Sequence, residues 1–391
     1  MSEVYLLHGA RTPFGTFGGS LRDVDAEALA VIAAREAILR AGVDAREIDA
    51  TVFGQVVPSS PQGAYMPRHV GLHAGVPVNA PALTVNRMCG SGLQAILTAA
   101  DDLRLARADL VLAGGAESMS RYPYSAFGVR FGSSGRGQLL TDMLQHTLRD
   151  EFAGCSMGDT AERLAEIYGI TRREQDEFAM RSHARAVLHR EVLREETVPV
   201  DVGGANRLSV DEHVREGATQ DALSRLRPVF APEGSVTAGN SSGINDGAAA
   251  VILASGRHVH KAGLKPLARL ISQAVVGVEP GLMGLGPVPA LTEALSLAGL
   301  SLAQMDVVEV NEAFAAQVLA VARELGVDPA RLNAQGGAIA LGHPVGASGA
   351  RLFLSAALQL RRTGGRYAAV SLCIGGGQGI AAVLERVARD M

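Results

Sequence analysis

The sequence repeats itself at a fixed distance of 257 residues. Residues 35–54, REAILRAGVDAREIDATVFG, lie over residues 292–311, TEALSLAGLSLAQMDVVEVN, under that shift. The identities are Glu36/Glu293, Ala37/Ala294, Ala41/Ala298, Gly42/Gly299 and Asp49/Asp306. The same shift, with no gap, lays Cys89-Gly90-Ser91-Gly92 over Gly346-Ala347-Ser348-Gly349, and then Leu103-Arg104 over Leu360-Arg361. Ala-rich helices match by chance, but one offset that holds in two separated blocks marks a duplicated unit. Each copy reads helix, glycine, strand, then a turn through Ser-Gly into another helix. That alternation predicts βα units with helices on both faces of a sheet. The expected class is therefore α/β, made of two duplicated halves.

Residues 117–243 differ in texture from the halves. SRYPYSAFGVRFGSSGRGQ (120–138) reads as loop, and T-R-R-E (171–174) is a capping box opening a helix. TAGNSSGINDG (237–247) returns the chain to the first half. The expected organisation is an N-terminal half over 1–116 plus 244–264, an inserted loop domain over 117–243, and a C-terminal half over 265–391. Long loops in compact proteins tend to be functional. YAAVSLCIGGGQGIAAVL (367–384) is long enough for a membrane span, but its central glycines and Gln378 predict a strand, a tight turn and a second strand.

Composition excludes several classes of function. Apolar residues make up 47% and charged ones 19%, the balance of a soluble globular protein. A net charge of −4 predicts no nucleic-acid or membrane partner. The three cysteines, Cys89, Cys155 and Cys373, form no disulfide framework and no zinc spacing, so no metal is expected. The start, MSEVYLLHGARTPF, lacks the basic and apolar regions of a secretory signal, and a cytoplasmic location with reduced thiols is expected.

Cys89 follows an apolar run, ALTV (82–85), and precedes a helical stretch, LQAILTAADDLRLA (93–106). A thiol at a helix N-terminus meets exposed N–H groups and the helix dipole, which predict a pKa lowered towards neutrality. A small buried hydrophobe is the other reading of a lone cysteine, and local context leaves both open. Cys373 stands in C-I-G-G-G-Q, which echoes C-G-S-G-L-Q at 89–94. His343 lies in GGAIALGHPVGASGAR, between Gly342 and Pro344, and the repeat sets it over Asn86. Two such thiols and one imidazole suggest a nucleophile, its base and a second acid/base, with backbone N–H groups of Cys89 and Gly375 as an oxyanion hole. Cys155 has no such setting and reads as packing. Gly90-Ser91-Gly92-Leu93-Gln94-Ala95 fits a dinucleotide fingerprint, but the acidic residue that such a site requires at the end of the second strand is not matched by Asp109, which comes before its strand, DLVLAGG. Asn311, after the strand DVVEV, reads either as a water holder or as a helix N-cap.

Taken together, these stretches resemble the thiolase family, of the acetyl-CoA acetyltransferase type, over the whole length. The resemblance rests on Cys89-Gly90-Ser91, Asn311-Glu312-Ala313-Phe314, Gly342-His343-Pro344 and Cys373-Ile374-Gly375, with TAGNSSGINDGAAAV (237–251) beside them. It implies a five-layer αβαβα fold with a loop domain covering coenzyme A. It also implies that Cys89 is acylated, His343 activates it, Cys373 moves the C2 proton of the second substrate, and Asn311 holds a water at one oxyanion hole. Ser242, Arg215, Ala238, Met157 and Met283 match residues along the coenzyme and acyl path. Substrates would be acetyl-CoA, acetoacetyl-CoA and CoA, with no permanently bound cofactor, in a homodimer or homotetramer. Ser156 departs from the His that many acetyl-specific members carry there, and 203–209 lacks the usual lysines. A broader-chain 3-ketoacyl-CoA thiolase is therefore the near alternative. A decarboxylating condensing enzyme would need no second thiol, and a catalytically dead scaffold would not need Cys89, His343 and Cys373 intact.

Overall fold

The structure is a computed structural model, and it describes residues 3–131, 140–204 and 206–388. Residues 132–138 of the loop-like stretch, and Ala205 in 203–209, lie outside the described residues.

The first half carries β1 (Val4–Arg11), α1 (Ala26–Ala41), β2 (Ala50–Gly54), α2 (Met66–His73), β3 (Ala82–Val85), α3 (Ser91–Arg104) and β4 (Leu110–Ser118). β4 runs two residues past 116, the end read from the sequence. Between the halves lie α4 (Met157–Ile167) and α5 (Arg172–Leu188), with two-residue strands and short helices around them. The predicted capping box is present: Thr171 and Glu174 each bond the other's backbone N–H at the start of α5. The chain then forms β5 (Asn245–Ser255), β6 (Ala268–Gly277), α6 (Pro287–Ala298), β7 (Val307–Val310), α7 (Ala315–Leu325), α8 (Ser348–Thr363), β8 (Tyr367–Ile374) and β9 (Gln378–Arg386). The run at 367–384 is thus a strand, a glycine turn and a strand, as its glycines predict.

Strands follow the order β7-β8-β9-β6-β1-β5-β4-β2-β3. The halves meet where β1 pairs antiparallel with β6, over Val4–Leu6 and Ala268–Leu270 only. Alternating side chains assign the strand faces to separate cores. In β5, Ala249, Val251 and Leu253 join the central core, whereas Ala248, Ala250 and Ile252 face the layer of α1 and α2. In β9, Ile380, Ala382 and Leu384 face the centre, while Ala381 and Val383 face α6 and α7. α3 and α8 fill the centre. The layers are therefore helix, sheet, helix pair, sheet, helix, the five-layer αβαβα arrangement that the resemblance implied.

The repeat is realised in three dimensions. Gly42 and Gly299 both end their helices in the left-handed region, at φ 66° and 65°. Asp49 Oδ2 accepts from the N–H groups of Asp109 and Leu110. Asp306 Oδ2 accepts from Arg366 and Tyr367, the residues 257 positions on. Gly92 and Gly349 let α3 and α8 meet backbone to backbone. A Cβ on Gly92 would lie 2.9 Å from Ala350 N, and one on Gly349 would lie 2.4 Å from Leu93 N. The counterpart of β3 is not a strand but a short helix, Ala338–Leu341, which leads into His343.

Candidate active site

The first functional turn follows β3 directly. Met88 takes a positive φ of 45°, a conformation costly for a side chain with a Cβ. Three bonds hold it. Met88 N donates to Asn86 Oδ1 at 3.0 Å, Asn86 Nδ2 donates to Val56 O at 2.9 Å, and Ser91 Oγ donates to Met88 O at 2.7 Å. Cys89 comes next, and Gly90 caps α3 without a side-chain bond. The expected strand-turn-helix setting is present, although the N–H groups of Gly90 and Ser91 are taken up by Arg87 O and Met88 O, each at 2.9 Å.

His343 enters from the opposite half. Gly342 has φ 107°, and a Cβ there would meet the Asn245 amide at 2.6 Å, so glycine is required. Asn245 clamps the backbone, its Oδ1 accepting from His343 N at 2.8 Å while its Nδ2 donates to Gly15 O at 2.9 Å. The ring is oriented by Ser348, whose Oγ lies 2.6 Å from Nδ1. That hydroxyl donates its one proton to Pro344 O at 2.9 Å, so it accepts from Nδ1–H. Nε2 therefore carries the lone pair, and Asn311 Nδ2 lies 3.3 Å from it. Burial and the Arg351 charge push the imidazole down to about 4, which keeps it neutral at neutral pH.

Cys373 is the penultimate residue of β8, ahead of the turn at Gly375–Gly377, and it is buried. Its thiol is pushed well above the ordinary range by burial and by the neighbouring Cys89. The Cys89 thiol is pushed up to about 11, and here the sequence expectation needs correction. Burial dominates. The amides of Gly375, from the turn after β8, and of Cys89 itself favour the thiolate, but they only partly offset the lost hydration. At neutral pH these shifts leave both thiols protonated and the imidazole neutral.

Cys89, Cys373 and His343 open on one cleft of about 920 Å³. All five coenzyme candidates, Met157, Arg215, Ala238, Ser242 and Met283, line the same cleft. Asn311 and Gly375 do not line it. Asn311 is buried behind His343, and Gly375 reaches the cleft through its amide on Cys89. A Cβ on Gly375 would meet Met157 Sδ at 3.0 Å. Ser156 lines the cleft too, with its hydroxyl tied to Asp159 as the cap of α4. Cys155 is buried away from the cleft lining.

Sequence reasoning missed Phe17, Arg149, His213 and Phe230, all on the cleft wall. It also missed the supports Asn245 and Ser348. Ser348 carried a signal, since it is five residues from His343 and is the repeat partner of Ser91. The wall residues carried none, because they converge from loops far apart in the chain. Among the described residues no group of three or more His, Cys, Asp or Glu is placed to hold a metal ion.

Comparison with known proteins agrees with this construction. The family description "Thiolase, N-terminal domain" matches residues 4–257, and "Thiolase, C-terminal domain" matches residues 264–386. The beta-ketothiolase BktB of Cupriavidus necator is 49% identical over 391 residues, covering 98% of this chain and 99% of that protein. The acetyl-CoA acetyltransferase of Pseudomonas aeruginosa is 45% identical over 393 residues, covering 99% of this chain and 100% of that protein. The crystal structure of human mitochondrial 3-ketoacyl-CoA thiolase in complex with CoA matches with a TM-score of 0.96 at 45% identity, over 99% of this chain and 98% of that one. Two half-chains with one duplicated plan, meeting at a cleft that holds two thiols and an imidazole, thus have a known setting: the chain belongs to the thiolase family of acyltransferases.

Proposed function

We propose that this thiolase is an acetyl-CoA C-acetyltransferase, interconverting two acetyl-CoA with acetoacetyl-CoA and CoA through an acetyl-Cys89 intermediate. The observation that carries this reading is the shared opening of Cys89, Cys373 and an Nε2-unprotonated His343 on one cleft. In the first half-reaction the Cys89 proton passes to His343 Nε2 as Sγ attacks the thioester carbon. The tetrahedral oxyanion is met by the amides of Cys89 and Gly375. The departing CoA thiolate takes its proton from Cys373. That leaves a Cys373 thiolate, strongly basic because it is buried, to take a proton from C2 of the second acetyl-CoA. The new carbanion attacks the carbonyl carbon of acetyl-Cys89, with its own carbonyl oxygen held by the Nε2–H of His343 and by a water on Asn311. The C–Sγ bond then breaks, acetoacetyl-CoA leaves, and the Cys89 thiolate takes its proton back from His343 Nε2. Asn311 Oδ1 is buried without a hydrogen-bond partner among the described residues, which suits it to accept from that water.

Arg215 and Arg149, both on the cleft wall, are the cations suited to the coenzyme's phosphates in place of the lysines absent from 203–209. Ser242, Ala238, Met157 and Met283 line the pantetheine and acyl path. Mixing the pure protein with acetyl-CoA and measuring its mass tests the reading. One added acetyl group on Cys89 is the expected result, and none, or one on another residue, overturns it.

A second reading, thiolysis of longer 3-ketoacyl-CoA, is favoured by Ser156, a small residue on the cleft wall whose hydroxyl is turned to Asp159. Rates with acetoacetyl-CoA against 3-ketooctanoyl-CoA separate the two. Homo-oligomer formation belongs to the same proposal, supported by the exposed aromatics Tyr124, Phe127 and Phe131 of the inserted segment.

A further inference from the structure

Glu117 is a fully buried carboxylate that the reaction above does not use. It stands near the end of β4, between the loops of the two halves. Its Oε2 accepts from Val56 N at 2.9 Å and its Oε1 from Val57 N at 3.1 Å. Val56 in turn offers its carbonyl to Asn86 Nδ2 at 2.9 Å, and Asn86 Oδ1 accepts from Met88 N at 3.0 Å. Met88 is the residue held at φ 45° directly before Cys89. One arm of Glu117 therefore ends on the strained step into the nucleophile.

The other arm ends on the loop carrying His343. A Cβ on Gly346 would lie 2.5 Å from Glu117 Oε2, so only glycine lets this loop approach the carboxylate. Gly346 is the repeat counterpart of Cys89. Burial pushes the Glu117 carboxyl up to about 7, while the amides of Val56, Val57 and Gly346 favour its charged form. A carboxylate placed there for packing alone would be a poor choice, because an apolar residue fills such a space without desolvating a charge.

We propose that Glu117 is a positioning residue for the thiolase reaction, holding the Cys89 turn and the His343 loop in register across the two halves. This rests on the roles given above to Cys89 and His343. Glu117→Gln keeps the volume but sets an N–H₂ group against one backbone N–H, so one arm is lost. Displacing reacting groups by about 1 Å costs on the order of 100-fold. The expected result for Glu117→Gln is a kcat lowered about 10- to 100-fold with KM for acetoacetyl-CoA and CoA unchanged, and acetylation of Cys89 slowed by the same factor. Glu117→Asp, which retains both acceptors, should recover part of the loss.

A folded Glu117→Gln enzyme with unchanged kcat, or one whose KM rises at constant kcat, overturns the proposal. If Glu117→Gln does not fold, Asn86→Ala cuts the same arm at an exposed position. It should reproduce the kcat loss, and full activity there also overturns the proposal. Cys89→Ser is the control for the parent reading: turnover in that protein sinks the assignment of Cys89, whereas a dead Cys89→Ser beside a fully active Glu117→Gln sinks only the role of Glu117.

Discussion

His343 Nδ1 lies 2.6 Å from Ser348 Oγ, and with the Ser348 proton assigned to Pro344 O the imidazole carries its own on Nδ1. Ser348→Ala removes that instruction and lets the ring rotate or change tautomer. The kcat for thiolysis should fall about 10- to 100-fold, with KM for CoA little changed because Ser348 does not line the cleft. Steady-state rates at saturating acetoacetyl-CoA check this. An unchanged kcat would show that the tautomer is set by something else.

The two thiols are separable by half-reaction. Cys89→Ala should yield no acetyl-enzyme at all. Cys373→Ser should still be acetylated on Cys89 from acetyl-CoA, yet overall turnover should fall about 100- to 10,000-fold, as when a positioned acid/base is removed. Mass measurement for the first step and a coupled condensation assay for the second distinguish them. Equal failure of both steps in Cys373→Ser would mean that the roles are misassigned.

Gly92 and Gly349 hold the two central helices at backbone contact. Gly92→Ala places a Cβ 2.6 Å from Gly346 O, and Gly349→Ala places one 2.4 Å from Leu93 N. Backbone atoms cannot rotate aside, so each substitution should destabilise the fold by about 1–3 kcal/mol. Gly217→Ala, where an added Cβ meets nothing within 4 Å, is the neutral control. Urea midpoints read all three.

Asp49→Ala and Asp306→Ala should cost the two halves alike, about 1 kcal/mol each, since each carboxylate accepts two successive backbone N–H groups at equivalent places. A large difference between their urea midpoints would mean that the repeat is no longer energetically symmetric.

His183, His213 and His343 are each pushed down to about 4, first by burial. An unfolded histidine titrates near 6.5, so below that pH the unfolded chain binds protons that the folded one refuses. Stability is therefore lost as the pH falls from 6.5 towards 4. Glu117 and Glu309, pushed up to about 7 by burial, act in the opposite sense as the pH falls through 7. Comparing wild type with His183→Gln isolates one histidine's share: the variant should lose less stability between pH 7.5 and pH 5. The same depression keeps His343 unprotonated, so the wild-type activity should show no fall centred near 6.5 from this residue.

Local chemistry in the chain made much of the fold legible. The helix-ending glycines 42 and 299, the capping box at Thr171 and Glu174, and the glycine turn between β8 and β9 each act within a few residues, and the sequence predicted all of them. The two Ser-Gly turns that the offset superposes lie against one another in the fold, as the contacts of Gly92 and Gly349 show. The shift also set Asn86 over His343. Both lie at the mouth of their turns, one bonded to Val56 O and Met88 N, the other to Ser348.

By itself the sequence determined the class and the two-fold plan, because these depend on periodicity and on short-range backbone preferences; the three side chains proposed as reactive were singled out by their glycine-flanked settings and by the family resemblance. Only the tertiary structure decided the acidity of Cys89, the tautomer of His343 and the place of Glu117. A helix N-terminus argues for a low thiol pKa, yet the apolar packing of Val56, Val57 and Val345 around Cys89 removes more hydration than the local amides return. Desolvation is a sum over every neighbour, and those neighbours come from both halves of the chain. No stretch read along its length contains that sum.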